Sequence, residues 1–228
     1  MIEGEETRVQ PRLKSRGFYF RVMTRLFLIR HGETDYNLNR RYCGFSDLSL
    51  NETGRSQVQF LAERLKEFKI DTLYSSDLLR AVETAKIIFK DKTIHKMQEF
   101  REMNFGIFEG LNFVEIVEKS PKIYRRWIDN PLEVDIPEGE TFTDFCNRVK
   151  KGLSFILSKN QDKQISLITH SGPIKVILCE LLGCGLDKFW DLKQDNTALN
   201  IIDYPEGSSP VIIKMNNMSH LSCRERAL

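Results

Sequence analysis

The run Leu26-Phe27-Leu28-Ile29-Arg30-His31-Gly32 constrains the fold of this chain more than any other feature. Four apolar residues in succession read as a strand covered on both faces, as central strands of parallel sheets are. At its carboxyl end the chain meets a cation, an imidazole and a hinge. In open α/β sheets, ligands bind beyond the carboxyl ends of the strands. The pattern recurs downstream in Ile165-Ser166-Leu167-Ile168-Thr169-His170-Ser171-Gly172. Two strands that each deliver a histidine to one edge of a sheet point to phosphoryl transfer through histidine.

The order of elements fits that sheet. A helix is predicted over about 53–68, with Val58, Leu61, Leu65 and Phe68 on one face. A strand at 72–74 and a helix over 77–89, capped by Ser75 or Ser76, follow. Alternation of strand and helix is the signature of a parallel sheet with helices outside. A third strand is expected over 94–100. Residues 103–139 then break the alternation with a Gly-containing loop, a helix from Phe113, Pro121 and a polar helix ending near Asn130. This segment reads as a helical insertion over one edge of the sheet. A helix over 141–157, a strand over 164–169, a helix over 172–182 and a hairpin of strands near 197–203 and 210–215 complete the chain. The fold expected is α/β, a three-layer α/β/α sandwich around a mostly parallel sheet. Residues 23–228 read as a single domain, and residues 1–22 as a flexible extension, or as sequence upstream of a natural start at Met23.

Composition narrows the partners. The 34 basic and 32 acidic side chains leave a formal net charge of +2, without the basic excess of a nucleic-acid binder. No apolar run has the length of a membrane span. Cys43, Cys146, Cys179, Cys184 and Cys223 form no Cys-x-x-Cys pair. They read as reduced thiols of a cytoplasmic protein, with neither zinc nor a disulfide framework indicated. No phosphate-binding Gly-x-x-x-x-Gly-Lys and no His-Glu-x-x-His occurs, so a P-loop is not expected and no metal or cofactor is assigned.

The residues around His31 give the chemistry. Arg30 offers a planar fork of donors suited to phosphate, Gly32 allows close backbone geometry, and Asn37 can add a neutral donor. Arg80 falls in the first turn of a predicted helix, where a cation opposes the helix dipole. A bound anion would account for it. Lys119, Lys122, Arg125 and Arg126 read as a solvated helix face, and His95 and His220 as incidental.

Leu28-Ile29-Arg30-His31-Gly32-Glu33-Thr34 resembles the opening motif of the histidine phosphatase superfamily, also called phosphoglycerate-mutase-like. Asn37 and Gly44, Ser75-Ser76-Asp77-Leu78-Leu79-Arg80-Ala81, Arg101-Glu102-Met103-Asn104-Phe105-Gly106, Glu109-Gly110-Leu111 and Thr169-His170-Ser171-Gly172 follow in the family's order. The likeness runs from about residue 23 to the end. Its spacing is most similar to that of small bacterial phosphatases of the alpha-ribazole phosphatase type. The resemblance implies that His31 is the nucleophile and that Arg30 and Arg80 grip the phosphoryl oxygens, with Asn37 nearby. It makes His170, expected protonated, the second histidine of the phosphate pocket and Glu102 the proton donor to the leaving group. It also places Gly44 and Ser171 at the substrate, with Ser171 where relatives commonly carry glycine. The activity implied is metal-independent hydrolysis of a small phosphate monoester, alpha-ribazole 5′-phosphate among the candidates, with a small phosphorylated metabolite as partner. The alternatives are a 2,3-bisphosphoglycerate-dependent phosphoglycerate mutase and a non-catalytic module that binds a phosphorylated ligand. Oligomeric state is not legible.

Overall fold

The computed structural model describes residues 23–222. The expectation for residues 1–22 and the thiol of Cys223 lie outside them. A six-stranded sheet runs through the centre in the order β3-β2-β4-β1-β5-β6. Its strands are β1 (Met23–Arg30), β2 (Thr72–Ser75), β3 (Ile94–Lys96), β4 (Gln164–Thr169), β5 (Leu199–Pro205) and β6 (Val211–Asn217). The pairs β1–β4, β2–β4 and β2–β3 are parallel, and β5 and β6 form the antiparallel hairpin.

β1 is buried on both faces, so its residues feed two cores. Leu26 and Leu28 pack with helices α6 (Phe142–Lys159) and α7 (Ser171–Leu182). Phe27 and Ile29 pack on the other side with α2 (Glu52–Leu65) and α3 (Leu79–Phe89). This is the three-layer α/β/α sandwich expected. The remaining helices are one turn at α1 (Asp35–Leu38) and the insertion pair α4 (Phe113–Lys119) and α5 (Pro121–Asp129). The insertion is fastened by aromatic packing: Trp127 is fully buried among Tyr42, Phe105, Phe108 and Tyr124. Lys119, Lys122, Arg125 and Arg126 are exposed. No helix among the described residues is long and apolar enough to cross a membrane.

Several boundaries differ from the expected ones, each for a local reason. The polar loop after β1 contains α1, closed by a capping box between Thr34 and Asn37. α2 stops at Leu65, and Phe68 packs edge-on against Phe27 from beyond the helix, ring centroids 4.9 Å apart. β3 ends at Lys96 and the chain tightens into a 3₁₀ turn over Gln98–Phe100. α3 begins at Leu79 and takes its cap from neither Ser75 nor Ser76. The Leu79 N–H donates to Asp47 Oδ1 at 2.6 Å, across 32 residues. Ser75 is turned back onto the Ser76 carbonyl, and Ser76 is engaged by His170.

Candidate active site

The sheet register brings the two histidines together. Arg30 lies opposite Thr169 on the adjacent parallel strands β1 and β4. His31 and His170 therefore occupy the next step of the same ladder. The His31 N–H donates to the Thr169 carbonyl at 2.9 Å, and the two ring centroids are 5.0 Å apart. Both side chains are buried at the carboxyl edge of the sheet.

The hydrogen bonds fix the state of each ring. His31 Nδ1 lies 2.6 Å from the Gly32 carbonyl, an acceptor, so Nδ1 carries the proton. Burial pushes the His31 imidazole well below its ordinary range, and Arg80 and then Arg30 push it further. The ring is neutral, and Nε2 keeps its lone pair. His170 Nδ1 accepts from Arg80 Nε at 3.2 Å, and its Nε2 lies 2.8 Å from Ser76 Oγ. An acceptor at Nδ1 makes this ring a neutral Nε2–H tautomer. Burial, then Arg80, then His31 hold it well below its ordinary range. The expectation of a protonated His170 is thus corrected: a guanidinium donates to the nitrogen that the second proton would need.

Arg80 is fully buried in the first turn of α3. Its Nη1 donates to the Ser46 carbonyl at 2.7 Å, and its Nη2 to the carbonyls of Gly44 at 2.8 Å and Cys43 at 3.3 Å. These carbonyl dipoles offset the unfavourable helix end. One Nη1–H has no acceptor among the described residues. The loop supplying the carbonyls is pinned by Glu109. That carboxylate accepts from the backbone N–H groups of Gly44, Phe45, Ser46 and Phe105 and from Ser46 Oγ. Gly44 therefore faces protein on both sides, its N–H on Glu109 and its carbonyl on Arg80.

Arg30 is less committed. Nη1 donates to the Gln194 carbonyl at 2.6 Å, and Nε is buried without a partner among the described residues. Burial pushes this guanidinium down, opposed by the nearby charge of Glu102. Asn37 turns its oxygen inward to the Thr34 N–H and to Asn196 Nδ2. Asn196 also donates to the His31 carbonyl at 3.2 Å, tying α1 to the nucleophile candidate.

Glu102 is delivered by the chain after the 3₁₀ turn. Arg148 on α6 holds its carbonyl at 2.8 Å together with those of Glu99 and Arg101. The carboxylate accepts from the N–H of Met103 and from that of Gly172 at the start of α7, each at 3.0 Å. A carboxylate at a helix N-terminus is favourably placed. Ser171, Glu102 and Gly172 border a cavity of about 130 Å³. Among the described residues, no cluster of three or more His, Cys, Asp or Glu that could hold a metal ion is gathered.

His31, His170, Arg30, Arg80 and Glu102 thus converge, with Asn37 two hydrogen bonds removed, through Asn196. Gly44 supports Arg80, and Ser171 lies on the cavity wall. Sequence reasoning missed Asn196, Gln194, Ser76 as the partner of His170, and Glu109 as the pin of the loop. Glu109 and Ser76 carried a signal, their places in the Glu-Gly-Leu and Ser-Ser-Asp motifs.

The chain belongs to the histidine phosphatase superfamily, branch 1, whose family model matches residues 26–218. It is 34% identical over 201 residues to phosphoserine phosphatase 1 of Hydrogenobacter thermophilus, covering 87% of this chain and 95% of that protein. Among solved structures, the alpha-ribazole phosphatase of Shigella flexneri superposes with a TM-score of 0.78 at 26% identity, covering 85% of this chain and 96% of the other. A mutant phosphoserine phosphatase of Entamoeba histolytica in complex with phosphoserine superposes with a TM-score of 0.77 at 28% identity, covering 87% and 100%.

Proposed function

We propose that this protein is a phosphatase that hydrolyses the phosphate monoester of a small metabolite through a phosphohistidine on His31. The observation that carries the reading is the locked neutral tautomer of His31, its Nε2 lone pair beside two arginines. In the first step Nε2 attacks phosphorus and the ester P–O bond breaks. Glu102 protonates the departing alkoxide. Arg30 and the remaining Nη1–H of Arg80 meet charge developing on the phosphoryl oxygens. In the second step Glu102, now ionised, takes a proton from water as that water attacks phosphorus and releases His31. General acid–base help of this kind is typically worth roughly 10²–10⁴-fold. His170 holds Arg80 in place. A phosphoryl dianion bound beside the two rings counters the cationic field that depresses His170, so its proton affinity rises on binding. The free thiols of Cys43, Cys146, Cys179 and Cys184 suit a reducing cytoplasm.

The test is turnover of p-nitrophenyl phosphate in excess chelator, with alkaline quenching after incubation with a ³²P-labelled ester. Turnover and label on the wild-type protein are expected, and neither on His31→Ala. Activity surviving in His31→Ala overturns the reading. O-phosphoserine and alpha-ribazole 5′-phosphate are the first physiological esters to try, since the relatives carry those names. Conversion of 3- to 2-phosphoglycerate primed by 2,3-bisphosphoglycerate, without phosphate release, would replace hydrolysis by mutase activity.

A further inference from the structure

Asn200 stands in the interior of β5, between Leu199 and Ile201, and is fully buried. Asparagine is a poor strand residue, and a polar group withdrawn from water must be paired. Here the whole amide is used. Nδ2 donates to Gln194 Oε1 at 2.9 Å and to the Leu28 carbonyl at 3.2 Å. Oδ1 accepts from Gln194 Nε2 at 3.3 Å and from the Asn216 N–H at 2.8 Å. Asn200 and Gln194 thus face each other as a reciprocal amide pair. A buried residue that breaks the local pattern yet is fully partnered is expected where function demands it.

The pair holds a loop that has no ladder of its own, for Gln194 lies outside any strand or helix and is buried. The next residue is gripped from the other side. The Asp195 N–H donates to Asn216 Oδ1 at 2.8 Å, and Asn216 Nδ2 donates back to Asp195 Oδ2 at 3.0 Å. The Asp195 N–H and the Gln194 carbonyl belong to one planar peptide, so fixing the first aims the second. That carbonyl accepts from Arg30 Nη1 at 2.6 Å. Among the described residues it is the single hydrogen-bond partner of the guanidinium, whose Nε has none. The direction of the Arg30 fork is therefore set through one peptide.

We infer that Asn200 is a positioning residue for Arg30, acting through its amide pair with Gln194. This rests on the phosphatase reading and adds to it a group that never touches the substrate. Without the pair, the Gln194 peptide is released on one side and the Arg30 fork turns with its acceptor. A displacement of about 1 Å in a positioned group can cost roughly 10²-fold in rate.

The experiment is a double-mutant cycle in the full chain. Asn200→Leu removes one amide of the pair from the strand, and Gln194→Leu removes the other from the loop. Each is made alone and together with Arg30→Ala. Three quantities are measured: kcat/KM for p-nitrophenyl phosphate, Kd for inorganic phosphate by calorimetry, and Tm. With Arg30 present, each substitution should lower kcat/KM about tenfold or more and weaken phosphate by about the same factor. On Arg30→Ala, neither should change kcat/KM or Kd by more than about twofold. Tm should fall alike in both backgrounds, because the amide left behind is buried and unpaired with or without Arg30. A merely structural amide would lower kcat/KM equally in the two backgrounds. That result, or undiminished kcat/KM and phosphate affinity in Asn200→Leu, overturns the inference. If Asn200→Leu does not fold, Gln194→Leu decides by the same criteria. If the wild-type protein turns over no ester, the phosphatase reading falls, and the phosphate calorimetry still decides the role of Asn200.

Discussion

His31 has its proton placed by the backbone and its charge suppressed by its neighbours, and both effects reach the pH profile. An ordinary imidazole near 6.5 would lose nucleophilicity over the mildly acidic range. With His31 held well below 6.5 by burial, Arg80 and Arg30, protonation of the nucleophile does not limit the free enzyme there. We expect kcat/KM, corrected for the dianionic fraction of an ester whose second pKa is about 6, to stay flat from pH 7 to about pH 5.5. An acid limb centred on 6.5 would contradict the neutral-ring argument. Gly172 carries a second prediction. A Cβ there would lie 2.0 Å from Glu102 Oε1 and 2.8 Å from the Phe145 ring. Gly172→Ala should therefore push the carboxylate aside. Alkyl esters, whose leaving group needs a proton, should slow far more than p-nitrophenyl phosphate, with Glu102→Gln showing the full loss of roughly 10²–10⁴-fold.

The elements differ in how much of their placement is local. α2 and α6 were legible because their apolar positions repeat at helical spacing, and Val58, Leu61, Leu65, Phe145, Val149, Leu153 and Ile156 are all buried. The start of α3 was not legible, because its first N–H is satisfied by Asp47 from the preceding loop. No local pattern records a cap supplied from 32 residues away. Asp47→Ala should cost about 1 kcal/mol of stability in urea unfolding. Glu109 acts at the same scale. Glu109→Gln loses acceptor capacity for the loop that presents three carbonyls to Arg80. We expect kcat/KM to fall about tenfold or more, since small displacements of a phosphate-binding group are expensive. A normal kcat/KM in Glu109→Gln would show that Arg80 does not depend on the loop.

Across the whole molecule, the two depressed imidazoles link stability to pH. Above about 6.5 both rings are neutral in folded and unfolded chains, so neither changes the balance. As the pH drops below 6.5, the unfolded chain binds protons that the folded site refuses, and stability declines toward acid. Urea unfolding between pH 7.5 and 5 should show this slope, and His31→Gln with His170→Gln should flatten it. Much of the architecture was readable from one sequence, since hydrophobic periodicity and strand-end histidines are local signals. Asn196 and Gln194 were not, because each acquires its meaning from a partner brought near by folding.

The register of β1 on β4 has one more consequence. Because His31 and His170 sit on the same rung, the gap between the imidazoles is set by main-chain ladder spacing rather than by surrounding side chains. Evolution can therefore rewrite the crevice wall, and with it ligand preference, without retuning the ruler at its centre. A one-residue insertion in either strand would do the opposite: it would shift one ring along by about 3.3 Å and flip it to the far side of the pleat.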